Sequence, residues 1–336
     1  NYRLTALARG DAPGALGTAA ASYRAAAARW SALGLAPEGV AAMAVFTVAD
    51  VAAEMPRTAA WPAPEGARVA SGFAAREVMD DYCVFEGTVS LPVFQSGEAP
   101  YATDGGRWSA MPTPGGETGR STGRVVVTLP RRPMPAEGYP VVMFVRTGGG
   151  GDRPLVDRGP RATPGGPSVA AGHGLARDFA QAGFAGISWD GPHGGPRNVS
   201  NGDEQFLMFN VGNLRGLRDN VRQTALEAAL LAEVLPALRL DASTCRHADA
   251  ALPPGARFNP QRIALFGHSM GASVAPLAAA ASTRFGAVLL SGAGGSYLAN
   301  VLYKQRPLPV RGAAEALLGS PGTGHRLRED DPALTV

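Results

Sequence analysis

The chain has 336 residues, 45% of them hydrophobic, which is enough to bury the core of one large α/β domain or two smaller ones. Its formal net charge of +3 comes from 30 Arg and a single Lys, scattered among acidic residues without a basic run. No basic stripe with interleaved aromatic residues is present, and no apolar stretch of about 18 residues could span a membrane. We therefore expect neither a nucleic-acid partner nor a transmembrane segment.

The first 80 residues are rich in alanine and predict a small α/β extension. The patterns favour a helix near 19–33, a strand at 41–48 and a second helix that ends at Pro56. Because the chain starts at Asn1 within a strand-like stretch, we expect that it was cut from a longer precursor and that its first strand is incomplete.

From residue 81 to residue 336 the sequence predicts the main domain. Apolar runs separated by turn residues predict strands at 82–94, 123–130, 139–147, 184–190 and 262–267, and another from Phe285. Helices are predicted at 168–183, at 214–238 and from 270 to about 282. Strands that alternate with helices in this way indicate a mostly parallel sheet with crossover helices.

The sequence GHSMG at 267–271 directly follows an apolar strand and opens an alanine-rich helix. Strand, sharp turn and helix in this order are how a G-x-S-x-G turn exposes a nucleophilic serine. Small residues at Gly267 and Gly271 let the strand and the helix close around the turn. We predict that Ser269 is a catalytic nucleophile at the carboxyl edge of the sheet, where open α/β sheets bind ligands. A Gly-Ser turn used only for close packing is the alternative.

Two sets of backbone amides are candidates for an oxyanion hole. The amide of Met270 lies at a helix N-terminus, where N–H groups lack intrahelical acceptors. The second set lies in the sequence RTGGGGD, which follows the strand at 139–147. Four consecutive glycines leave their amides uncovered, so we take Gly148 and Gly149 as candidates. A flexible surface loop is the alternative for this segment.

Five stretches of the sequence carry a family resemblance: GTVSLPVF, YPVVMFVRTGGGGD, WDGPHGGPRN, FNVGNLRGLRDNVRQ and GHSMG. Over residues 82–336 they resemble the α/β-hydrolase superfamily, and more narrowly exported bacterial lipases and esterases, many of them lipoproteins. The resemblance implies an α/β-hydrolase fold with helices on both faces of the sheet, and no metal or organic cofactor. It also implies a lipid or small-molecule ester as substrate, export, and a lipid anchor on a segment before Asn1. The chain departs from the pattern at Arg146 and Thr147, where a histidine commonly precedes the glycines.

The triad partners of Ser269 are not evident in the sequence. In that superfamily an acid and then a histidine follow the nucleophile along the chain. The histidine downstream of Ser269 is His325, and the acids Glu329, Asp330 and Asp331 come after it, in the wrong order. We therefore expect that the chain is truncated, that the triad acid and histidine lie beyond Val336, and that the fragment by itself is inactive.

Polar residues after the strand at 184–190 are candidates for the substrate pocket. Asp190 and His193 lie in WDGPHGG, at the ligand-facing end of the sheet, and His193 could instead brace loops through hydrogen bonds. The long helix carries LRDNVRQ, which places Arg218 and Arg222 four residues apart. We expect these polar side chains to form a network on the helix face rather than to bind substrate.

The two cysteines, Cys83 and Cys245, are far apart in sequence and fit no zinc-ligand pattern. They are either two buried thiols or a single disulfide that ties the start of the main domain to the loop before the nucleophile strand.

The sequence as a whole predicts an exported serine ester hydrolase that acts through an acyl-enzyme on Ser269. The same fold also serves peptidases and acyltransferases, which remain alternatives. A non-catalytic, hydrolase-like binding or surface protein is the alternative from a different functional class.

Overall fold

The computed structural model describes residues 20–29, 31–34, 36, 68–108, 116–146, 153–163, 166–247, 250–306, 309–317, 326–329 and 331. The chain divides into two compact units, residues 1–51 and residues 52–336. In the first unit the described residues contain the helix α1 (Ala20–Ala27) and a 3-10 turn (Ser31–Leu33), so the helix predicted over 19–33 is shorter. The strand predicted at 41–48 and the helix predicted to end at Pro56 lie outside the described residues.

A seven-stranded mixed sheet forms the core of the second unit. The strands in chain order are β1 (Arg68–Val78), β2 (Tyr82–Val93), β3 (Gly119–Pro130), β4 (Tyr139–Val145), β5 (Ala185–Trp189), a short hairpin of β6 (Arg246–His247) and β7 (Ala250–Ala251), β8 (Phe258–His268) and β9 (Phe285–Ser291). In the sheet they lie in the order β1-β2-β3-β5-β4-β8-β9. The pairs from β1 to β5 are antiparallel, and the pairs from β5 through β4 and β8 to β9 are parallel.

Helices connect the parallel strands. The connecting helices are α2 (Pro154–Asp157), α3 (Leu175–Gln181), α4 (Glu204–Met208), α5 (Leu214–Val234) and α6 (Met270–Ala281). Two further helices, α7 (Tyr297–Tyr303) and α8 (Val310–Leu317), follow β9. Because β4, β5, β8 and β9 are parallel, the segment after each strand starts at the same carboxyl edge of the sheet. The segment after β5, the start of α5 and the turn between β8 and α6 therefore share that edge.

Strand β4 shows why helices cover both faces of the sheet. All seven residues of its sequence YPVVMFV are buried. Met143 packs into a large apolar cluster with α5 and α6, whereas its neighbour Phe144 packs into a second cluster with α2 and α3. Successive side chains of a strand point to opposite faces, so a continuous apolar strand requires cover on both. The predicted α/β class is confirmed.

The structure also corrects the sequence analysis in two places. Strand β1 was not predicted, and it pairs with β2, so residues 68–78 belong to the sheet although they fall within the predicted extension of residues 1–80. The helix predicted over 168–183 begins only at Leu175. Gly172 has a left-handed φ of 71°, and a Cβ at Gly174 would lie 2.5 Å from the carbonyl oxygens of Leu155 and Val156, so this stretch turns closely against α2 instead.

The two cysteines form a disulfide, which decides between the two alternatives left by the sequence. Cys83 lies in β2 and Cys245 lies in the segment before the β6–β7 hairpin, 162 residues later. Both cysteines are buried in the large apolar cluster. The bond therefore ties the start of the sheet to the connection that leads into β8.

Replacing both cysteines, as Cys83→Ala with Cys245→Ala, should lower the free energy of unfolding by about 2–5 kcal/mol, because the bond closes a long loop in the unfolded chain. Urea denaturation followed by circular dichroism measures the change, and reduction of the unaltered protein should reproduce it. Equal stability of the oxidised protein and the double variant would contradict this prediction.

Candidate active site

Ser269 lies in the turn between β8 and α6 and has an unusual backbone conformation. Its φ is 54° and its ψ is −114°, values that a non-glycine residue adopts only when its surroundings enforce them. The Ser269 N–H donates to the carbonyl oxygen of Ser291 in β9 at 2.9 Å, and its side chain is exposed. The predicted strand, sharp turn and helix are confirmed, and the role of Ser269 as nucleophile stays a prediction.

The two glycines of GHSMG are required by close backbone contacts. A Cβ at Gly267 would lie 2.4 Å from the carbonyl oxygen of Gly271. A Cβ at Gly271 would lie 2.4 Å from the carbonyl oxygen of Val145 and 2.9 Å from that of Arg146. Real Cβ atoms do not approach oxygen so closely, so β4, β8 and α6 can meet around Ser269 only if both positions lack a side chain.

Met270 begins α6 directly after Ser269. Its side chain is buried and lines a cavity of about 10 Å³, room for roughly one water molecule, together with Arg146, Glu204, Met208 and Val274. The backbone N–H of Met270 belongs to the first turn of the helix, where amides have no intrahelical acceptor. This amide directly follows Ser269, and its role as an oxyanion donor stays a prediction. Gly148 and Gly149, the other predicted donors, lie outside the described residues.

None of the three histidine side chains within the described residues is bonded to Ser269. His268 bonds to the hydroxyl of Ser291 through Nδ1 at 2.9 Å, and burial followed by the charge of Arg158 lowers its pKa. His173 lies 3.4 Å from the guanidinium of Arg177. His325 lies outside the described residues.

His193 braces the loop after β5. Its side chain is buried, its Nε2 lies 3.3 Å from Oδ1 of Asn220 in α5, and its ring packs edge-on against Tyr101. Burial is the main cause that lowers the pKa of His193, which favours the neutral imidazole. Of the two alternatives for this residue, the geometry favours bracing of loops over contact with substrate.

Asp190, the other pocket candidate, lies in a buried network of charges. Its Oδ1 accepts a hydrogen bond from Nη1 of Arg146 at 2.8 Å, and its Oδ2 lies 3.3 Å from Nε of Arg124. The guanidinium of Arg146 also binds the carboxylate of Glu204 in α4 through both Nε and Nη2. The Asp190 side chain therefore holds the end of β5 to the end of β4, and it does not line the small cavity beside Met270.

The sequence analysis missed this network. Nothing in the sequence marks Arg146, Asp190 and Glu204 as partners, because 44 and 58 residues separate Arg146 from the other two. The departure from the family pattern at Arg146 was the available signal. Burial raises the pKa of Glu204, and the charge of Arg146 and its hydrogen bonds oppose that change.

The N-terminal half of α5 presents buried polar side chains to the loops. Asp219 accepts a hydrogen bond from the N–H of Trp108 at 2.8 Å, and Gln223 accepts one from the N–H of Phe94 and donates one to the carbonyl oxygen of Pro92. Arg218 and Arg222 both pair with Asp219. The predicted polar network on this helix thus holds the segment after β2 in place.

The described helices include none that is long and apolar enough to cross a bilayer. Among the same residues, no group of three or more His, Cys, Asp and Glu side chains is arranged to hold a metal ion.

The sheet order, the crossover helices and the strained serine turn together constitute an α/β-hydrolase fold.

Scans against protein-family models and curated proteins found no match. The chain is similar to solved structures of esterases. These include a cold-adapted esterase from an Arctic intertidal metagenomic library (16% identity, 66% of this chain and 64% of that chain, TM-score 0.35). A second is acetyl xylan esterase 1 from Thermoanaerobacterium sp. (14% identity, 71% of this chain and 57% of that chain, TM-score 0.37). A third is a CE15 glucuronoyl esterase from Teredinibacter turnerae (18% identity, 72% of this chain and 50% of that chain, TM-score 0.36). The chain thus spans less than two thirds of the length of each.

Replacing Gly271 by Ala should lower the free energy of unfolding by about 1–3 kcal/mol, because the new Cβ meets the carbonyl oxygens of Val145 and Arg146. Gly286→Ala is the matched control, since the nearest atoms to a Cβ there are 3.8 and 3.9 Å away. Urea midpoints measure both changes, and a Gly271→Ala protein as stable as the control would show that the turn is not close-packed.

Proposed function

We propose that this protein is a serine ester hydrolase that forms an acyl-enzyme on Ser269. The observation that carries the proposal is the positive φ of Ser269, with its exposed side chain between two glycines that cannot accept a Cβ. A strained conformation that three elements enforce is typical of a functional position. At the carboxyl edge of the sheet, this conformation presents Oγ to the side from which ligands bind.

In the proposed mechanism, Oγ of Ser269 attacks the carbonyl carbon of the ester while a general base takes its proton. The negative charge that develops on the carbonyl oxygen is stabilised by the amide of Met270 and by an amide of Gly148 or Gly149. The alcohol leaves with a proton, and water then hydrolyses the acyl-enzyme by the same steps.

The substrate that we propose is an ester with an apolar part. Four large apolar side chains from the segment after β5 to the first residue of α5 are exposed, with Val199 at 65%, Phe206 at 60%, Val211 at 49% and Leu214 at 64%. This segment includes α4, whose buried Met208 lines the same cavity as Met270, so it adjoins the turn around Ser269. Exposed apolar groups beside a site favour an apolar ligand, either a lipid or a small hydrophobic ester.

Export is proposed on the basis of the disulfide. Bonds such as Cys83–Cys245 form and persist in oxidising compartments and are rare in the cytosol. The lipid anchor is proposed on the ground of the family resemblance alone.

A hydrolase-like binding protein is the second candidate function. It is favoured by one observation: none of the three described histidine side chains is bonded to Ser269. Such a protein would keep the turn for its shape and bind an ester or a related ligand without cleaving it.

Labelling of the natural protein with a fluorophosphonate probe separates the two functions. We expect the probe on the peptide that contains Ser269, because an activated serine attacks the phosphorus, and no label in Ser269→Ala. Ser243→Ala, which changes an exposed serine in the loop before β8, should label normally. A folded natural protein that takes up no probe at Ser269 would contradict hydrolysis and support the binding function.

A further inference from the structure

Arg146 directly follows β4 and lies beside the turn around Ser269. Val145, the residue before it, pairs with Gly267 across the parallel strands β4 and β8. The carbonyl oxygens of Val145 and Arg146 are the two atoms nearest to a Cβ placed at Gly271. The backbone at Arg146 is therefore one wall of the turn.

All three guanidinium nitrogens of Arg146 donate hydrogen bonds to carboxylates. The side chain is 7% exposed, its Nε donates to Oε1 of Glu204 at 3.0 Å, and its Nη1 donates to Oδ1 of Asp190 at 2.8 Å. Nη2 donates to the other oxygen of Glu204, so the guanidinium holds that carboxylate with two parallel bonds. Bidentate pairs of this kind fix orientation as well as distance, which an ammonium cannot reproduce.

The network balances its own charge. Arg146 and Arg124 face Asp190 and Glu204, and both carboxylates are less than one fifth exposed. Buried ion pairs of this kind add little to stability compared with apolar residues of the same volume, although the loss of a single partner is destabilising. We therefore infer that the network acts by fixing the geometry of the segments it joins rather than by adding to the free energy of unfolding.

We propose that Arg146 is a positioning residue for the reaction at Ser269: by holding Glu204 and Asp190, it fixes the end of β4 against Gly271, and this sets the orientation of the Ser269 turn and of the Met270 amide. The inference rests on the proposed function for its catalytic consequence. Its structural part, the dependence of the turn on Arg146, stands independently. Arg146 itself touches no reacting atom in this scheme.

The decisive variant is Arg146→Met combined with Glu204→Gln. Replacing both residues avoids the unpaired buried carboxylate that Arg146→Met alone would leave at Glu204. Asp190 keeps Arg124 as a partner. We expect kcat for a p-nitrophenyl ester to fall at least about tenfold while KM changes less than about threefold, because orientation and not binding is lost. Arg146→Lys, which keeps the charge and loses the two parallel bonds, should recover only part of kcat.

Arg284→Met is a control for the loss of an arginine–glutamate pair elsewhere. It breaks the pair that Arg284 forms with Glu233 through Nε and Nη2, which is more exposed than the Arg146 pair and lies just before β9, at the opposite edge of the sheet. This variant should leave kcat unchanged. An unchanged kcat in the double variant, or an equal loss in the Arg284→Met control, would overturn the catalytic part of the proposal.

Hydrogen–deuterium exchange of the peptide at 262–281 tests the structural part without any activity. We expect faster exchange of the amides around Ser269 in the double variant and no change in Arg284→Met, at a temperature where both proteins are folded. If the unaltered protein cleaves no ester and takes up no probe, the proposed function fails, and this exchange alone decides the dependence of the turn on Arg146. Equal exchange in the double variant and the unaltered protein would overturn that dependence.

Discussion

The contact between the backbone of β4 and the helix that follows Ser269 constrains the whole catalytic edge of this protein. Gly271 can lie against the carbonyl oxygens of Val145 and Arg146 only because it has no side chain. The small buried residues of α6, among them Ala272 and Ala275, let the helix run closely over the sheet. Once β4, β8 and α6 meet in this way, Ser269 has little freedom and takes its positive φ. The strain at one residue is thus held by the packing of three elements.

Buried polar side chains hold the loops in place through hydrogen bonds, whereas apolar side chains hold the helices against the sheet. From Ala225 onward α5 belongs to the large apolar cluster, whereas nearer its N-terminus Asp219, Asn220 and Gln223 are buried against the segment after β2 and the loop after β5. Glu227 lies within the apolar half, where it is fully buried and bonded to both terminal nitrogens of Arg197. Buried polar groups are tolerated only when they are bonded, so each of these contacts also fixes a loop. Within the described residues, these contacts therefore hold the segment after β2 and the loop after β5 at the carboxyl edge of the sheet.

The sheet and the serine turn could be predicted because their signals are local. Continuous apolar runs such as YPVVMFV identify strands buried on both faces, and GHSMG after such a run identifies the turn. Strand β1 gave no such signal, since its sequence RVASGFAAREV has few large apolar residues, and two of these, Val69 and Val78, are exposed. The pairing of Arg146 with Asp190 and Glu204 could not be predicted from the sequence, for another reason. It joins the ends of separate elements, and a charged residue in sequence is ordinarily expected to face solvent.

Hydrolysis through a covalent intermediate on Ser269 can be tested by trapping that intermediate. The natural protein would be mixed with p-nitrophenyl acetate, quenched in acid within the first turnovers, and analysed by mass spectrometry of the intact chain and of its peptides. We expect one acetyl group per chain, on the peptide that contains Ser269, together with a burst of p-nitrophenol and no adduct in Ser269→Ala. Turnover of the ester without acetyl on Ser269, or an equal adduct in the Ser269→Ala protein, would contradict it.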